Sequence, residues 1–541
     1  MPAFPIKLTD QDMLYRESQK DQARFWTDTS TKGMVASAHY RATWAGASVL
    51  KRGGNAMDAA IACSLALGVC EPAESGLGGM AMMLVHWKET NRTFVLEGAC
   101  RAPELATPQA ISECLSRYRG LGAVAIPGCP ALLGYAQKKY GILKLAEVIA
   151  PAQEIAEQGY LITSFQTQMI KNHRYRLAKE NGGSLYLDPD GNALEVGHRL
   201  RNPALAKTLG RLAQHGFEDF YQGFIARQIA DQMEKQGGFV RLRDLEKFPL
   251  PEENEPVWGK YGHWDVATLG PPGGGLALLQ MLHLYDKLKI KEPKLESPED
   301  YVLLAKIIQR ARKDRRRFRK KIPMRFEGGK SEFLKSSYAK DALKKINQSS
   351  SKKSGETSHF SVMDQWGNVV AMTQSIERLF GAKVIHPELG FLYNGYLKTF
   401  KIQSKTHPHW LRPGALARSN AAPTILFEKK SPYAALGSTG SERIVSSLLQ
   451  VILRLRYQTG FEALQAPRLH CSPEGDVFLE IERIPAGTPR ALVENGFRLN
   501  PLESYSHIMG GIHLVEHKGE KFVGSAEPRR DGASAGPEKV E

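Results

Sequence analysis

The sequence predicts an α/β protein with a substantial core. Its 541 residues are 42% hydrophobic and 24% charged, which are ordinary globular values. Residues 55–70 are apolar on almost every side, as is typical of a buried helix. Strand-like runs follow at MAMMLVHW and TFVLEGA, and two hairpin patterns lie in the last third of the chain. Helices and paired strands in one chain of this length favour a layered architecture.

The middle of the chain is predicted to be mainly helical and to end in a linker. Helices are expected near 131–139 and 147–158. From Tyr301 a helical pattern becomes densely basic, with nine Lys or Arg residues between Arg310 and Lys321. The segment 328–356 is rich in Lys and Ser, and this composition indicates a mobile linker.

Two hairpins follow the linker. The first, TSHFSVMDQWGNVVAMTQS, begins at Thr357, alternates apolar residues along its first arm and turns at Gly367-Asn368. The second, PTILFEKKSPYAALGS, leads through GSTGS into ERIVSSLLQVILRLRY, whose apolar residues recur at helical spacing. The C-terminal GSAEPRRDGASAGPEKVE is expected to be a loop.

Composition and charge exclude several classes of protein. Lys and Arg number 73 against 57 Asp and Glu, which gives a net charge of +16. No apolar run reaches the ~18 residues of a membrane span, and the polar N-terminus does not resemble a secretory signal. We therefore expect a cytoplasmic protein with no membrane partner. The six cysteines form no CxxC pair and the histidines no HExxH motif, so we expect no metal and no cofactor.

Two further motifs suggest phosphate or nucleic acid, but each has a simpler explanation. GPPGGG at 270–275 lacks both the GK[ST] ending of a P-loop and the spacing of a dinucleotide fingerprint. The basic run at 310–321 has few interleaved aromatic residues and no base-reading motif. We interpret it as a solvated helix face and expect no nucleic-acid partner.

The linker that ends at Thr357 suggests a self-processing hydrolase. A threonine hydroxyl is a weak nucleophile and needs an adjacent base. If the chain is cut before Thr357, the new α-amino group, with a pKa of about 8, can accept the hydroxyl proton. A linker that simply enters a strand at a β-branched residue would leave the same pattern, and these residues alone leave both explanations open.

Longer segments resemble the γ-glutamyltranspeptidase family of N-terminal nucleophile hydrolases over most of the chain. The matching segments are ASAHYRATWAGASVLKRGGNAMDAAIACSLALGVCEPAESGLGGMAMML, GACRAPELATP, VAIPGCPALLGYAQKKYG, ARKDRRR, GETSHFSVMDQWGNVVAMTQSI, GSTGSERIVSSLLQVI, APRLH and AEPRRDGASAG. The resemblance implies a four-layer αββα sandwich. It also implies a precursor that cleaves itself between Glu356 and Thr357, so that 1–356 and 357–541 remain together as a heterodimer within one intertwined domain.

The resemblance also assigns roles to individual residues. Thr357 matches the nucleophile that forms an acyl-enzyme, and Thr373 matches a threonine that hydrogen-bonds it. Gly440 and Ser441 match the two positions of the oxyanion loop, whose N–H groups face the developing negative charge. Arg101 matches the arginine that holds the α-carboxylate of a glutamyl substrate, a contact that suits a guanidinium.

Several positions depart from the family pattern. Glu377, two residues beyond Ser375, replaces the usual Asn. Where the family has NN-E/Q-M-D-D-F, this chain has NGYLKTF, so Tyr396 replaces the Glu or Gln and Thr399 replaces the Asp that pairs with the substrate ammonium. An unpaired ammonium in a closed site costs several kcal/mol. The pocket is therefore suited to a carboxylate but not obviously to an amine, unless Glu377 compensates.

The usual SSM-S/T-PT segment is also altered, and reads SNAAPT here. Ser419 is kept and Asn420 replaces the second serine. The substrate-binding candidates are thus Arg101, Ser375, Glu377, Tyr396, Thr399, Ser419 and Asn420.

Three functions remain open from the sequence. The first is a self-processing amidohydrolase or acyltransferase that acts on a small-molecule amide whose acyl group carries a carboxylate. The second is a conventional γ-glutamyl hydrolase or transferase that acts on glutathione-like compounds. The third is a non-catalytic homologue whose basic patch binds an anionic partner.

Overall fold

Two seven-stranded antiparallel sheets form the centre of the protein. The computed structural model describes residues 23–114, 120–288, 290, 294–317, 335, 338 and 357–540. The predicted linker therefore lies outside the described residues except at 335 and 338, and so does Glu356. The strands are β1 Thr27–Ser30, β2 Gly33–Ser37, β3 Met80–Trp87, β4 Arg92–Gly98, β5 Tyr160–Leu161, β6 Arg199–Leu200, β7 Glu253–Asn254, β8 Val257–Tyr261, β9 Trp264–Thr268, β10 Ser358–Asp364, β11 Val369–Ser375, β12 Thr424–Glu428, β13 Ser431–Ser438, β14 Leu469–Cys471, β15 Asp476–Glu480, β16 Arg498–Leu502, β17 Ile512–Lys518, β18 Lys521–Ser525 and β19 Ala533–Ala535.

Helices flank these sheets, and the predicted ones are confirmed within a few residues. The helices are α1 Ala23–Trp26, α2 Tyr40–Lys51, α3 Ala56–Cys70, α4 Pro108–Glu113, α5 Cys129–Tyr140, α6 Leu145–Gln158, α7 Ser164–Lys179, α8 Gly183–Tyr186, α9 Pro203–His215, α10 Asp219–Gln222, α11 Phe224–Lys235, α12 Leu242–Glu246, α13 Gly275–Asp286, α14 Pro298–Arg317, α15 Ile444–Arg454, α16 Gly460–Gln465 and α17 Thr488–Glu494. Helix α3 begins after Asn55 because the Asn55 side chain accepts hydrogen bonds from the N–H groups of Met57 and Asp58.

Each sheet contains strands from both sides of residue 357. Sheet I has the order β19-β2-β10-β11-β3-β4-β7, and sheet II has the order β1-β18-β17-β13-β12-β9-β8. Strands before and after Thr357 are therefore hydrogen-bonded neighbours in both sheets.

The first two of the four layers are a layer of helices and sheet I. Residues in β10 alternate between faces, as side chains in a strand must. Phe360 and Val362 point to one face and belong to the same buried cluster as Ala45 of α2 and Ile61 of α3. This face of sheet I is therefore covered by α2 and α3.

The other face of sheet I packs on sheet II. Met363 and Ala371 of sheet I share a buried cluster with Ala435 and Val515 of sheet II. The outer face of sheet II then packs on α13, α14 and α15 through a third cluster that includes Leu436. The order of layers is helix, sheet, sheet, helix, which confirms the predicted αββα sandwich.

The C-terminal segment was predicted to be a loop, and this prediction is wrong in part. β19 pairs with β2, with Ala533 opposite Ser37, and forms the edge of sheet I. Three small residues are too few to show an alternating pattern. The strand forms because the neighbouring edge of β2 offers hydrogen-bonding partners.

Candidate active site

The hairpin of β10 and β11 positions Thr357 at one end of sheet I. Its register pairs His359 with Thr373, which sets Thr357 opposite Ser375. Side chains two residues apart point to the same face of a strand. Thr357, His359, Thr373 and Ser375 therefore face the layer between the two sheets.

A cleft with about 480 Å³ of empty space, part of it open to solvent, lies at this end of the sheet. Its walls include most of the residues predicted from the sequence. The predicted residues that line it are Thr357, Thr373, Ser375, Glu377, Tyr396, Thr399, Ser419, Asn420 and Ser441. Met80, Gln374, Arg418 and Ala421 complete the lining and were not predicted.

A buried histidine lies behind the two threonines. His359 Nδ1 is 2.9 Å from Thr373 Oγ1, and its Nε2 is 3.1 Å from Ser361 Oγ. Burial lowers the pKa of His359 well below its usual value. The ring is therefore neutral at physiological pH, and it holds the hydroxyl of Thr373 in place at the cleft wall.

Buried carboxylates tie the start of β10 to the segment that follows α3. Ser358, the neighbour of Thr357, donates its hydroxyl to Glu71. Arg530 forms an ion pair with Glu74 and lies 3.8 Å from Glu71. Because an unpaired buried charge is costly, these pairs fix the position of the hairpin relative to the rest of the protein.

The oxyanion loop turns through two left-handed residues. Gly440 has φ +98° and Ser441 has φ +55°. A Cβ on Gly440 would lie 2.8 Å from the Cα of Gly510, so only glycine fits there. Ser441 replaces the family's second glycine but still adopts the left-handed backbone, and the resemblance-based assignment of both residues stays a prediction.

A buried ionic network supports this loop from behind. The N–H of Gly511 donates to Thr439 Oγ1 at 2.7 Å, and the N–H of Thr439 donates to the carbonyl of Gly511 at 2.9 Å. Arg468 donates to the carbonyl of Gly510 and pairs with Glu527 at 2.8 Å. Because both charged side chains are fully buried, their mutual pairing keeps the supporting loop rigid.

Tyr396 and Thr399 lie on a short 3₁₀ helix, Tyr396–Thr399, at one wall of the cleft. The Thr399 hydroxyl donates to the carbonyl of Tyr396 at 2.7 Å. Burial raises the pKa of the Tyr396 phenol, so it stays protonated. Neither residue supplies a negative charge.

Glu377 is the acidic residue of this wall, and it is already in an ion pair. Lys398, on the same 3₁₀ helix, contacts its carboxylate, and Arg378 Nε lies 3.7 Å away. Sequence reasoning singled out Tyr396 and Thr399 but missed Lys398 between them. The sequence shows that residue 398 is a lysine, but the 3₁₀ turn decides that its side chain points towards Glu377.

The basic helix α14 is not a solvated face at Arg310, Arg312 and Arg315, so that prediction is wrong for these residues, whereas Arg316 is exposed. Arg310 pairs with Asp314 at 2.8 Å, and Arg312 pairs with Glu442. Arg315 donates to Asn420 Oδ1 at 2.9 Å. These cations hold the cleft wall and the residue after Ser441. Residues 318–321 lie outside the described part of the chain.

The glycine-rich segment 270–275 supports the same wall. The N–H of Gly274 donates to the carbonyl of Ala421 at 2.8 Å. A Cβ on Gly274 would lie 2.5 Å from the carbonyl oxygen of Asn420. Close packing of two backbones therefore explains this glycine, without any phosphate.

Arg101 is not among the residues that line the cleft. Its guanidinium donates to the carbonyl of Gly414 at 3.1 Å and lies over the ring of Phe248. Its backbone pairs with Leu416, two residues before Arg418 of the cleft wall. The predicted contact of Arg101 with a substrate carboxylate stays a prediction.

Searches for other kinds of site gave no result within the described residues. No group of three or more His, Cys, Asp or Glu side chains there could hold a metal ion. Among the same residues, no helix is both long and apolar enough to span a membrane.

Comparison with known proteins identifies the family. The family model for γ-glutamyltranspeptidase matches residues 42–537. The chain belongs to the γ-glutamyltranspeptidase family. Its fold and match make it an enzyme of the family's hydrolase and transferase class, with the fold of N-terminal nucleophile hydrolases.

Individual members of the γ-glutamyltranspeptidase family align over nearly the whole chain. A glutathione hydrolase proenzyme of Bacillus subtilis (strain 168) is 31% identical, covering 94% of this chain and 92% of the relative. An acylase ACY 1 proenzyme of Pseudomonas sp. (strain V22) is 32% identical, covering 93% of each. The crystal structure of cephalosporin acylase from Bacillus halodurans superposes with a TM-score of 0.85 at 27% identity, covering 94% of this chain and 96% of the other.

Proposed function

We propose that this protein is a self-processing amidohydrolase or acyltransferase that forms an acyl-enzyme on Thr357. The bond between Glu356 and Thr357 breaks first and frees the α-amine of Thr357. That amine then takes the hydroxyl proton while the oxygen attacks the amide carbonyl of the donor, and it passes the proton to the donor nitrogen as the C–N bond breaks and the amine leaves. Water or an amine then releases the acyl group, and no cofactor is needed.

The placement of Thr357 carries this proposal. Thr357 immediately precedes β10, lies beside Thr373 and lines a cleft that Ser441 of the oxyanion loop also lines. A nucleophile and oxyanion donors that line one cleft suit a tetrahedral intermediate. The proenzyme names of the Bacillus and Pseudomonas relatives support processing of the chain into two fragments.

The charges of the cleft favour an acyl group that has a carboxylate and lacks an α-ammonium. Arg418 lines the cleft, and Glu442, which lies 3.9 Å from it, also pairs with Arg312. Glu377, which lines the same cleft, is paired with Lys398. A carboxylate of the donor thus lies near a cation. An ammonium of the donor finds no available carboxylate at these positions, because Thr399 and Tyr396 are uncharged and Glu377 is paired with Lys398.

These observations bear differently on the two alternative functions, a conventional γ-glutamyl hydrolase and a non-catalytic homologue. A conventional γ-glutamyl hydrolase is the second candidate, since the Bacillus relative is named a glutathione hydrolase. The non-catalytic alternative has less support, because Arg310, Arg312, Arg315 and Arg316 of its basic patch have partners within the protein. The expected cytoplasmic location stays a prediction, which fractionation of cells would test.

We expect the wild-type enzyme to hydrolyse a glutaryl anilide as well as, or better than, a γ-glutamyl anilide or glutathione. Thr399→Asp should improve the γ-glutamyl donor relative to the glutaryl one by about 1–3 kcal/mol, the scale of a hydrogen bond to a charged group. Mass spectrometry of products from γ-glutamyl, glutaryl, succinyl and oxalyl amides measures this preference. A preference of the wild type for γ-glutamyl donors by about tenfold or more, unchanged by Glu377→Gln, would favour the conventional transpeptidase.

Arg101→Lys is expected to raise KM by about tenfold or more for donors that carry a carboxylate, because an ammonium cannot reproduce the planar fork of a guanidinium. Self-cleavage should be unaffected, since the bond before Thr357 does not use that carboxylate. Steady-state kinetics with glutaryl and uncharged butyryl anilides measure the effect. An equal rise for both donors would show that Arg101 acts only through the Gly414 segment, and unchanged kinetics would remove it from the site.

A further inference from the structure

Lys398 is buried beside Glu377, the carboxylate at the wall of the cleft. The Lys398 side chain is only 5% exposed and that of Glu377 is 13% exposed. Removing a lysine from water is costly unless a partner compensates. Glu377 is that partner, since Lys398 Nζ contacts its carboxylate directly.

The backbone around Glu377 is shaped to present its carboxylate in this direction. Glu377 has φ +87°, which is unfavourable for a residue with a side chain. Its N–H donates to Ser375 Oγ at 2.9 Å, so the turn is held at the end of β11. Phe380 and Lys383, in the same turn, also have positive φ. Glu377 is therefore fixed at the cleft wall.

The electrostatic balance at this wall is positive. Arg378 adds a second cation near the same carboxylate oxygen. Burial lowers the pKa of Lys398 to about 8, and the charge of Glu377 opposes that shift. Lys398 therefore keeps its proton at neutral pH. A further ammonium arriving from the cleft would have to displace Lys398 or share one carboxylate with two cations.

We propose that the ammonium of Lys398 occupies the position beside Glu377 that the α-ammonium of an acyl donor would otherwise take. Lys398 is thereby a specificity-determining residue that restricts the enzyme to acyl donors with a carboxylate and no α-ammonium. Lys398 does not line the cleft; it acts through Glu377. This inference rests on the proposed function and assigns the substrate class of the same site.

Lys398→Met tests the inference, because methionine fills a similar volume without charge. We expect the ratio of kcat/KM for γ-glutamyl over glutaryl p-nitroanilide to rise by about 10- to 100-fold at pH 7, since Glu377 then keeps only the more distant Arg378 and can bind the ammonium. Adding Glu377→Gln to Lys398→Met should abolish the gain. A purely structural role for Lys398 would lower both activities without changing their ratio.

Lys383→Met is the matched control. Lys383 is also buried in this region, but its Nζ donates to the carbonyls of Leu379 and Gly381 rather than to Glu377. Burial lowers the pKa of Lys383 to about 7, so the substitution removes about half a charge at pH 7, and that charge makes no ion pair with Glu377. We expect the donor ratio of this variant to match that of the wild type.

Three outcomes distinguish the possibilities. A folded, processed Lys398→Met enzyme with an unchanged ratio overturns the inference, as does a gain that survives Glu377→Gln. Should Lys398→Met fail to fold, calorimetry on the wild-type enzyme compares the affinities of a ligand without an α-ammonium and a ligand with one. We expect glutarate to bind more tightly than L-glutamate. If the wild type processes neither itself nor any donor, the proposed function fails and the inference fails with it.

Discussion

Thr357→Ala is expected to remain a single chain without measurable turnover. The hydroxyl is the group that attacks both the bond before residue 357 and the amide of the donor, so its loss removes self-cleavage and catalysis together. Loss of the nucleophile of a serine protease costs about 10⁶-fold in kcat, and we expect a loss of that order here. Wild-type protein should instead run on a denaturing gel as fragments 1–356 and 357–541, with Thr357 at the new N-terminus.

Thr357→Ser is the matched control for this experiment. Serine keeps a hydroxyl on the same backbone, and Thr357 is largely buried at the cleft wall, where the loss of one methyl group is tolerated. We expect slower cleavage at the same bond and reduced but measurable hydrolysis. Intact-mass measurement checks both variants. Cleavage of Thr357→Ala at the same bond would indicate a contaminating protease and would contradict the assignment of Thr357 as the nucleophile.

Gly440→Ala is expected to lower kcat by about 10²- to 10³-fold, the usual effect of losing an oxyanion donor. Its Cβ would lie 2.8 Å from Gly510 Cα in a backbone with φ +98°. Relief of this contact requires the two loops to move apart, which breaks the bonds between Thr439 and Gly511 and displaces the oxyanion loop. KM should change much less than kcat, because the oxyanion forms only in the transition state.

Gly496→Ala separates loop displacement from simple backbone strain. Gly496 also has a positive φ, +80°, but a Cβ there would meet no atom within 4 Å. We expect a small loss of thermal stability and an unchanged kcat. If Gly440→Ala behaves in the same way, the loop at 439–441 does not bind the oxyanion.

Many local elements could be predicted because their signals are local. The alternation of apolar residues along the arm that begins at Thr357 predicted a hairpin, and the segment 55–70, apolar on almost every side, predicted a buried helix. The resemblance placed Thr373, Glu377 and Ser419 in one site, and the structure brings all three to one cleft. These positions follow from short-range patterns and from a matching order of motifs along the chain.

The charge pairs could not be predicted in the same way. The arginines of α14 looked like a solvated face because their partners, Glu442, Glu474 and Asn420, lie more than 100 residues away in the chain. The strand Ala533–Ala535 was missed for a similar reason, since its hydrogen bonds come from β2 near the other end of the sequence.

The sequence by itself determined the layered fold and the residue types available for catalysis, because periodicity and motif order are properties of the chain. Only the tertiary structure decided how the charges of the cleft are distributed. Glu377 appeared able to bind a substrate ammonium until Lys398 was found against it. An ion pair depends on the distance between two side chains in space, and here that distance is set by the turn after β11 and by the 3₁₀ helix at Tyr396–Thr399.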